Sequence, residues 1–321
     1  MTIREMRFPG GARFAFTILD DTDVATRANA EPFYDLLHEL GLGATKTVWP
    51  LDCPEGSPNF ELSETLEDPA YLNFVRKLQK QGFEVTWHGA TMESSLRERT
   101  IHGFERFREL LGVKPEIHVN HAYNQENLYW GLDRVDSLPL RGLLAAITSN
   151  GPGYFRGHIE GSAYWWGDLA KQHIKYARNL TFNDINTLKR NPSMPYRDPA
   201  RPLVDRWFSA SDAEGVEEFN ALLAQPHQER LEHEGGVCII ATHVGKGFAV
   251  DGQVHPATQR VLTNLAARPG WFPTVGELLD WLDARNPTGE LPESEWRRMQ
   301  WRWAWDMICR RWKSWRSRRQ P

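Results

Sequence analysis

Phe14-Ala15-Phe16-Thr17-Ile18-Leu19-Asp20-Asp21-Thr22-Asp23 decides how this chain is read, because an apolar run ends abruptly in three carboxylates. Residues 14–19 are aromatic and partly β-branched. Their nearly unbroken apolar character suits a strand covered on both faces, as in a parallel sheet. Asp20, Asp21 and Asp23 then fall at the carboxyl end of that strand, where barrels and open α/β sheets build sites from loops. The plainer alternative is that these Asp and Thr residues cap a helix starting near Asn29. Adjacent carboxylates repel, so Asp20 and Asp21 stay charged together only beside a cation or in a wet, polar site, and a divalent metal meets that condition.

The same unit recurs along the chain. Residues 30–40 carry Phe33, Leu36, Leu37 and Leu40 at near-helical spacing, with Gly41 and Gly43 to end the helix. A strand is expected at 45–49, then a loop rich in Pro, Gly and Ser, a helix at 70–81 stopped by Gly82, and a strand at 83–87 that ends at His88. A helix at 93–111 and a strand at 116–120 followed by His121 continue the pattern. Repeated β-α units call for a parallel sheet with right-handed crossovers. Residues 131–202 break the alternation with scattered Gly, Pro and aromatic residues, and they are expected to form an insertion. It resumes with a strand at 204–209, a helix at 213–223, a strand at 237–242 ending at His243, and helices at 256–267 and 274–284. Gly245 and Gly247, just after His243, permit close backbone approach.

At 321 residues the chain accommodates one α/β barrel of roughly 250 residues with additions. The expected layout is a barrel domain over 1–290 with its insertion, and a tail over 291–321. Cys53, Cys238 and Cys309 are odd in number and widely spaced, which fits neither a disulfide framework nor a zinc finger. The N-terminal residues lack the apolar core of a signal peptide, and no segment has the roughly 20 apolar residues of a membrane span. A cytoplasmic protein is therefore expected.

Net charge is -4, but residues 296–321 hold nine Arg or Lys and a single acid, Asp306, so the body is acidic by about a dozen charges. An acidic body argues against nucleic acid as a partner. In the tail, Trp301, Trp305, Ile308, Trp312 and Trp315 recur at helical spacing as one stripe, with Arg302, Arg310, Arg311, Lys313 and Arg316 largely off it. Such a helix suits an anionic membrane interface. The alternative is that the stripe packs on the barrel or on a second subunit.

Strand ends thus present an acid pair, a histidine, a polar cluster at Asn120-His121 and a late histidine, and this order resembles the NodB-type polysaccharide deacetylases. In that family a strand ends in Thr-Phe-Asp-Asp-Gly, and residues 18–22 are similar to it. Ala241-Thr242-His243 is similar to the family's Leu-x-His, and Phe272-Pro273-Thr274-Val275-Gly276-Glu277-Leu278 to the close of such domains. The resemblance spans about residues 10–285 and implies an irregular (β/α) barrel. It makes Asp20 the catalytic base, Asp21 a metal ligand and His243 the general acid. The family's second motif supplies two metal histidines four apart, whereas here His88 is followed at that spacing by Met92, a poor ligand for a hard or borderline ion. The third ligand is expected to be His121, with Asp23 and His118 as alternatives. The pattern looks closer to the divergent WbmS-like branch, associated with surface-polysaccharide gene clusters, than to chitin or peptidoglycan deacetylases.

The activity implied is metal-assisted hydrolysis of an N-acetyl group on a sugar, with a divalent ion, zinc foremost, held by Asp21, His88 and His121. Asn124, Trp87 and Trp130 are the candidate substrate contacts, with helix capping for Asn124 and core packing for the two tryptophans as their alternatives. Two other classes share these residues. One is a carbohydrate-binding homologue that has lost its metal; the other is a non-haem iron site with an overlapping ligand set.

Overall fold

Strand β1, Phe14–Asp20, is buried along its whole length. In the computed structural model, which describes residues 6–54, 56, 57, 62–147 and 151–317, it pairs in parallel with β2, Ala44–Val48, and with β7, Gly236–Thr242. Between these run β3 (Glu84–Trp87), β4 (Ile117–His118), β5 (Tyr176–Phe182) and β6 (Arg206–Asp212), each parallel to its neighbours. The β1–β7 pairing closes a seven-stranded barrel.

Two faces of β1 explain its unbroken apolar run. Phe14, Phe16 and Ile18 point outward into the larger cluster, against Phe33, Tyr34 and Leu37 of helix α1, Arg27–Glu39. Ala15 and Leu19 point inward, to Val237, Ile239 and Ala241 of β7 and Phe208 and Ala210 of β6. Each large side chain buried this way contributes about 1.5–3 kcal/mol. Thr26 and Asn29 form the capping box of α1, each side chain bonding the other's backbone N–H. The carboxylates of Asp20, Asp21 and Asp23 are therefore not spent on capping.

Helices α2 (Pro69–Lys80) and α3 (Arg97–Leu111) follow β2 and β3, and α4 (Leu138–Ile147) and α5 (Gly167–His173) lie between β4 and β5. Strand β5 falls inside the 131–202 stretch expected to be an insertion. Its Tyr-Ala-Arg-Asn-Leu-Thr-Phe sequence breaks the apolar pattern because Arg178 reaches the barrel mouth to pair with Asp21. The short α6 (Thr187–Arg190), α7 (Val216–Leu222) and the mostly polar α8 (Gln225–Glu234) precede β7. A hairpin of β8 (Ala249–Val250) and β9 (Gln253–Val254), then α9 (Pro256–Ala266) and β10 (Gly270–Trp271), lead to α10, Val275–Asp283. Helix α10 covers the amino-terminal end of the barrel: Val275 N donates to Thr45 Oγ1 at 2.8 Å and Gly276 N to Glu84 Oε2 at 2.9 Å, both near strand starts. The opposite, carboxyl end is left for the site.

The tail forms a long helix, α11, Glu293–Ser317, and it is bifacial. Trp296, Met299, Trp303 and Ala304 join the outer core cluster. Gln300 Oε1 accepts from Asp136 N and Ser137 N at 2.8 and 3.2 Å, just ahead of α4. Trp301, Trp305, Ile308 and Trp312 of the predicted stripe are exposed. The side chains of Trp315, Arg311, Lys313 and Arg316 lie outside the described residues.

Candidate active site

Three histidines from three βα units converge on Asp23, which comes from a fourth. His88 Nε2 lies 3.2 Å from Asp23 Oδ1, while His121 Nε2 and His243 Nε2 lie 3.5 and 3.3 Å from Oδ2. His88 follows β3, His121 follows β4 and His243 follows β7, so closing the barrel is what brings them together. Asp23 reaches the cluster from a tight loop after β1 in which Val24 has φ of +51°. Gly245 lets that loop and the one after β7 touch, since a Cβ there would stand 2.5 Å from Val24 O. Gly247 itself has φ of +85°, a left-handed conformation suited to glycine.

Two of the imidazoles are fixed by their other nitrogen. His121 Nδ1 bonds Asn124 Oδ1 at 2.9 Å, and His243 Nδ1 bonds Glu214 O at 2.8 Å. Both acceptors select the Nδ1–H tautomer and leave Nε2 facing Asp23. Asn124 is held in turn by Thr91 O and Glu93 O, each at 3.1 Å, and by Glu126 Oε1 at 3.0 Å. Trp49 packs on the rings of His88 and His121, with centroids 4.7 and 5.2 Å away. Burial pushes the Asp23 carboxyl up, but its contacts with His121 and His243 outweigh this and hold it well below the usual carboxylate range. Burial pulls His243 down, and the neighbouring Asp23 and Asp21 more than offset that, so its pKa is raised.

The two adjacent aspartates part company. Asp21, just past β1, takes a bidentate pair from Arg178, with Nη1 to Oδ1 at 3.1 Å and Nη2 to Oδ2 at 2.8 Å, and its Oδ2 stands 4.0 Å from His243 Nε2. Asp20 points the other way, toward α1, and is fully buried. Its Oδ2 accepts from Lys46 Nζ at 2.8 Å and Tyr34 Oη at 2.9 Å, and its Oδ1 from Val244 N at 2.9 Å. Burial pulls the Lys46 ammonium down, yet the charge of Asp20 leaves its pKa above the usual lysine value. Alternation along an extended strand is the physical reason: consecutive side chains face opposite sides, so only one of the pair can face the barrel mouth. The cation that Asp20 needs is a lysine, not a metal.

The other expected site residues are placed as follows. Trp87 is buried in the core, donates Nε1–H to His118 Nδ1 at 3.1 Å and packs on Phe104 and Trp166, so it offers no face to a sugar. Trp130 is half-buried, with the guanidinium of Arg134 over its ring. Asn124 is buried and holds His121. His118 uses both nitrogens, the second on Asn120 Oδ1 at 2.9 Å, and burial pushes it down to about 3. Met92 is buried. Sequence reading passed over Arg178 and Trp49 and kept Asp23 only as an alternative. The signal available for Arg178 was a lone arginine inside an otherwise strand-like run. A broad cleft lined by Glu31, Asp35, Val254 and Gln259 lies on the outer wall beside α1, away from this cluster.

Among the described residues, no three or more His, Cys, Asp or Glu side chains stand as a ready-made metal cage. The four side chains touch one another instead. Their chemistry nonetheless fits a divalent ion: the imidazole nitrogens of His88 and His121 with the Asp23 carboxylate are a borderline donor set, and His243 stands beside them. Donors about 2.0–2.1 Å from a tetrahedral zinc stand about 3.3–3.4 Å apart, and the three contacts to Asp23 run from 3.2 to 3.5 Å. Asp23 Oδ1, although against His88 Nε2, has no hydrogen-bond partner among the described residues. Two atoms in contact but off the hydrogen-bond angle are arranged as two donors to a shared cation would be.

By sequence, no protein-family model and no curated protein matches the chain. By structure it is similar to a protein from Mycobacterium smegmatis assigned as a polysaccharide deacetylase, with 12% identity, coverage of 89% of this chain and 95% of that one, and a TM-score of 0.50. A protein from Pseudomonas aeruginosa PAO1 with the same assignment matches at 13% identity, 88% and 95% coverage and a TM-score of 0.50. At such identities the likeness is one of fold. The fold is the NodB-type polysaccharide-deacetylase barrel that the sequence resembles.

Proposed function

We propose that this chain is a metal-dependent hydrolase that removes an N-acetyl group from a sugar, the sugar being a precursor of a surface polysaccharide. The observation that carries the reading is the convergence of His88, His121 and His243 on Asp23 at the carboxyl mouth of a deacetylase-type barrel. Asp23, His88 and His121 are the proposed metal donors, zinc being the ion their chemistry suits best. When bound, the ion polarises the acetyl carbonyl and acidifies the attacking water. Asp21, oriented by Arg178 and open to the mouth where Asp20 is not, takes the proton of that water. His243 is the most exposed of the three histidines and carries a proton at Nε2 to the departing amine. Acid and base are then different groups on neighbouring strands. Acetate and an amino sugar are the products.

The test uses the purified full chain: its bound metal is identified, and acetate release is followed over a panel of N-acetylated sugars before and after chelation. Zinc content near one per chain and acetate release lost on chelation and restored by zinc support the reading. Asp21→Asn should keep the metal and lose about 10²–10⁴-fold in turnover, whereas Asp23→Ala and His88→Ala should lose the metal. A chain that binds these sugars but takes up no metal is a carbohydrate-binding protein, and one that holds iron and consumes oxygen is an oxygenase. Either outcome overturns the proposal.

A further inference from the structure

The exposed face of α11 is an apolar surface that the fold does not use. Trp301 is 52% exposed, Trp305 62% and Ile308 36%. They fall on the side of the helix opposite Trp296, Met299 and Trp303, which already anchor it to the core. Packing therefore accounts for one face and leaves Trp301 and Trp305 exposed on the other. A contiguous exposed apolar patch of this kind marks an interaction surface.

Charge decides what covers the face. Arg297 and Arg298 are exposed and flank the stripe, and Arg302 borders it. Arg297 and Arg302 are ion-paired with Glu293 and Asp306, whereas Arg298 is exposed beside the stripe, and residues 296–321 as a whole hold nine Arg or Lys against one acid. A second copy of the chain would bring an identical arginine border against this one across a two-fold axis, and like charges oppose that pairing. An anionic lipid surface meets both features: indole rings settle at the headgroup level, and arginines pair with the phosphates above them.

Position ties the face to the site. Asp306 Oδ2 accepts from Asn183 N at 3.0 Å, just past the end of β5, and Arg310 Nη1 pairs with Asp212 Oδ2 at 2.8 Å, at the end of β6. The carboxyl-terminal half of α11 is thus fastened to the same rim of the barrel on which Asp23 and its histidines stand. We infer that α11 seats the protein on an anionic membrane surface through Trp301, Trp305 and Ile308, with the barrel mouth held beside the headgroups.

The experiment mixes the full chain with vesicles of phosphatidylcholine alone or with phosphatidylglycerol, at low and high salt, and follows flotation together with quenching of tryptophan fluorescence by brominated lipid. The expected result is flotation with the anionic vesicles only, weakened by salt, with quenching of the native chain. Trp301→Ser with Trp305→Ser should lower vesicle affinity more than tenfold, and Arg298→Gln by about fivefold. Trp301, Trp305 and Arg298 lie off the packed face, so melting curves should be unchanged. No flotation, equal flotation with neutral vesicles, or a dimer in solution that the tryptophan changes dissociate would each overturn the inference. The native-chain quenching decides the matter even if a variant fails to fold.

Discussion

Replacing Asp20 by asparagine should weaken the barrel without removing its chemistry. The Asp20 carboxylate and the Lys46 ammonium are both wholly inaccessible, 2.8 Å apart, with Tyr34 on the same oxygen. Removing one partner of such a pair leaves an uncompensated buried charge and costs about 3–5 kcal/mol, which is roughly two to three and a half powers of ten in the folding equilibrium. A domain of ordinary stability, about 5–15 kcal/mol, survives that loss but shows it plainly. Asp20→Asn combined with Lys46→Met removes both charges, and most of the lost stability should return because the remaining groups are neutral. The assay is denaturant unfolding followed by tryptophan fluorescence, alongside acetate release per folded, metal-loaded chain. An Asp20→Asn protein as stable as the native one, fully loaded with metal and yet inactive, would show that Asp20 is the base after all. So would a stable, loaded double variant that has lost turnover by more than about 100-fold.

Three further outcomes follow from the geometry. Asn124→Ala removes the acceptor that fixes His121 and should weaken metal affinity about 10–100-fold in chelator competition; an unchanged affinity would mean that His121 needs no such support. Gly245→Ala puts a methyl 2.5 Å from Val24 O, so the Asp23 loop must shift; a loss of about 1–3 kcal/mol is expected from such overpacking, and a native melting curve would contradict it. His118 stays neutral in the fold down to about 3 while the unfolded chain takes up a proton near 6.5. Its contribution is therefore complete above about pH 6.5 and declines as pH falls, by at most about 1.4 kcal/mol per pH unit. His118→Gln should flatten that acid limb, and identical limbs in the two proteins would refute the assignment.

Strands β1 and β7 were legible because burial on both faces writes a nearly unbroken apolar run, and each ended at the residues the structure shows there. The histidines at strand ends were legible for the same reason, since position along a parallel barrel fixes the rim on which a residue stands. Which acid faces the mouth was not. Asp20, Asp21 and Asp23 are chemically alike, and their partners are Lys46 of β2 and Arg178 of β5, the second 157 residues from Asp21. Strand β5 itself was hidden because the arginine that serves Asp21 interrupts its apolar pattern. Trp87 shows the converse: an aromatic residue next to a site histidine can be pure core, and only the placement of Phe104 and Trp166 around it tells the difference.

The seam between β1 and β7 has a consequence for the making of the protein. Phe14 pairs with Gly236 and Asp20 with Thr242, partners separated by about 220 residues of chain. At synthesis rates of roughly 5–20 residues per second, the first strand waits on the order of ten seconds or more for the partner that completes it. During that time Phe14, Phe16 and Ile18 lie on a strand with one unpaired edge, the kind of surface on which nascent chains stick to one another. Asp20, Asp21 and Asp23, at the end of β1, are the charges that border this apolar edge until β7 arrives, the kind of flanking charge that opposes pairing between chains.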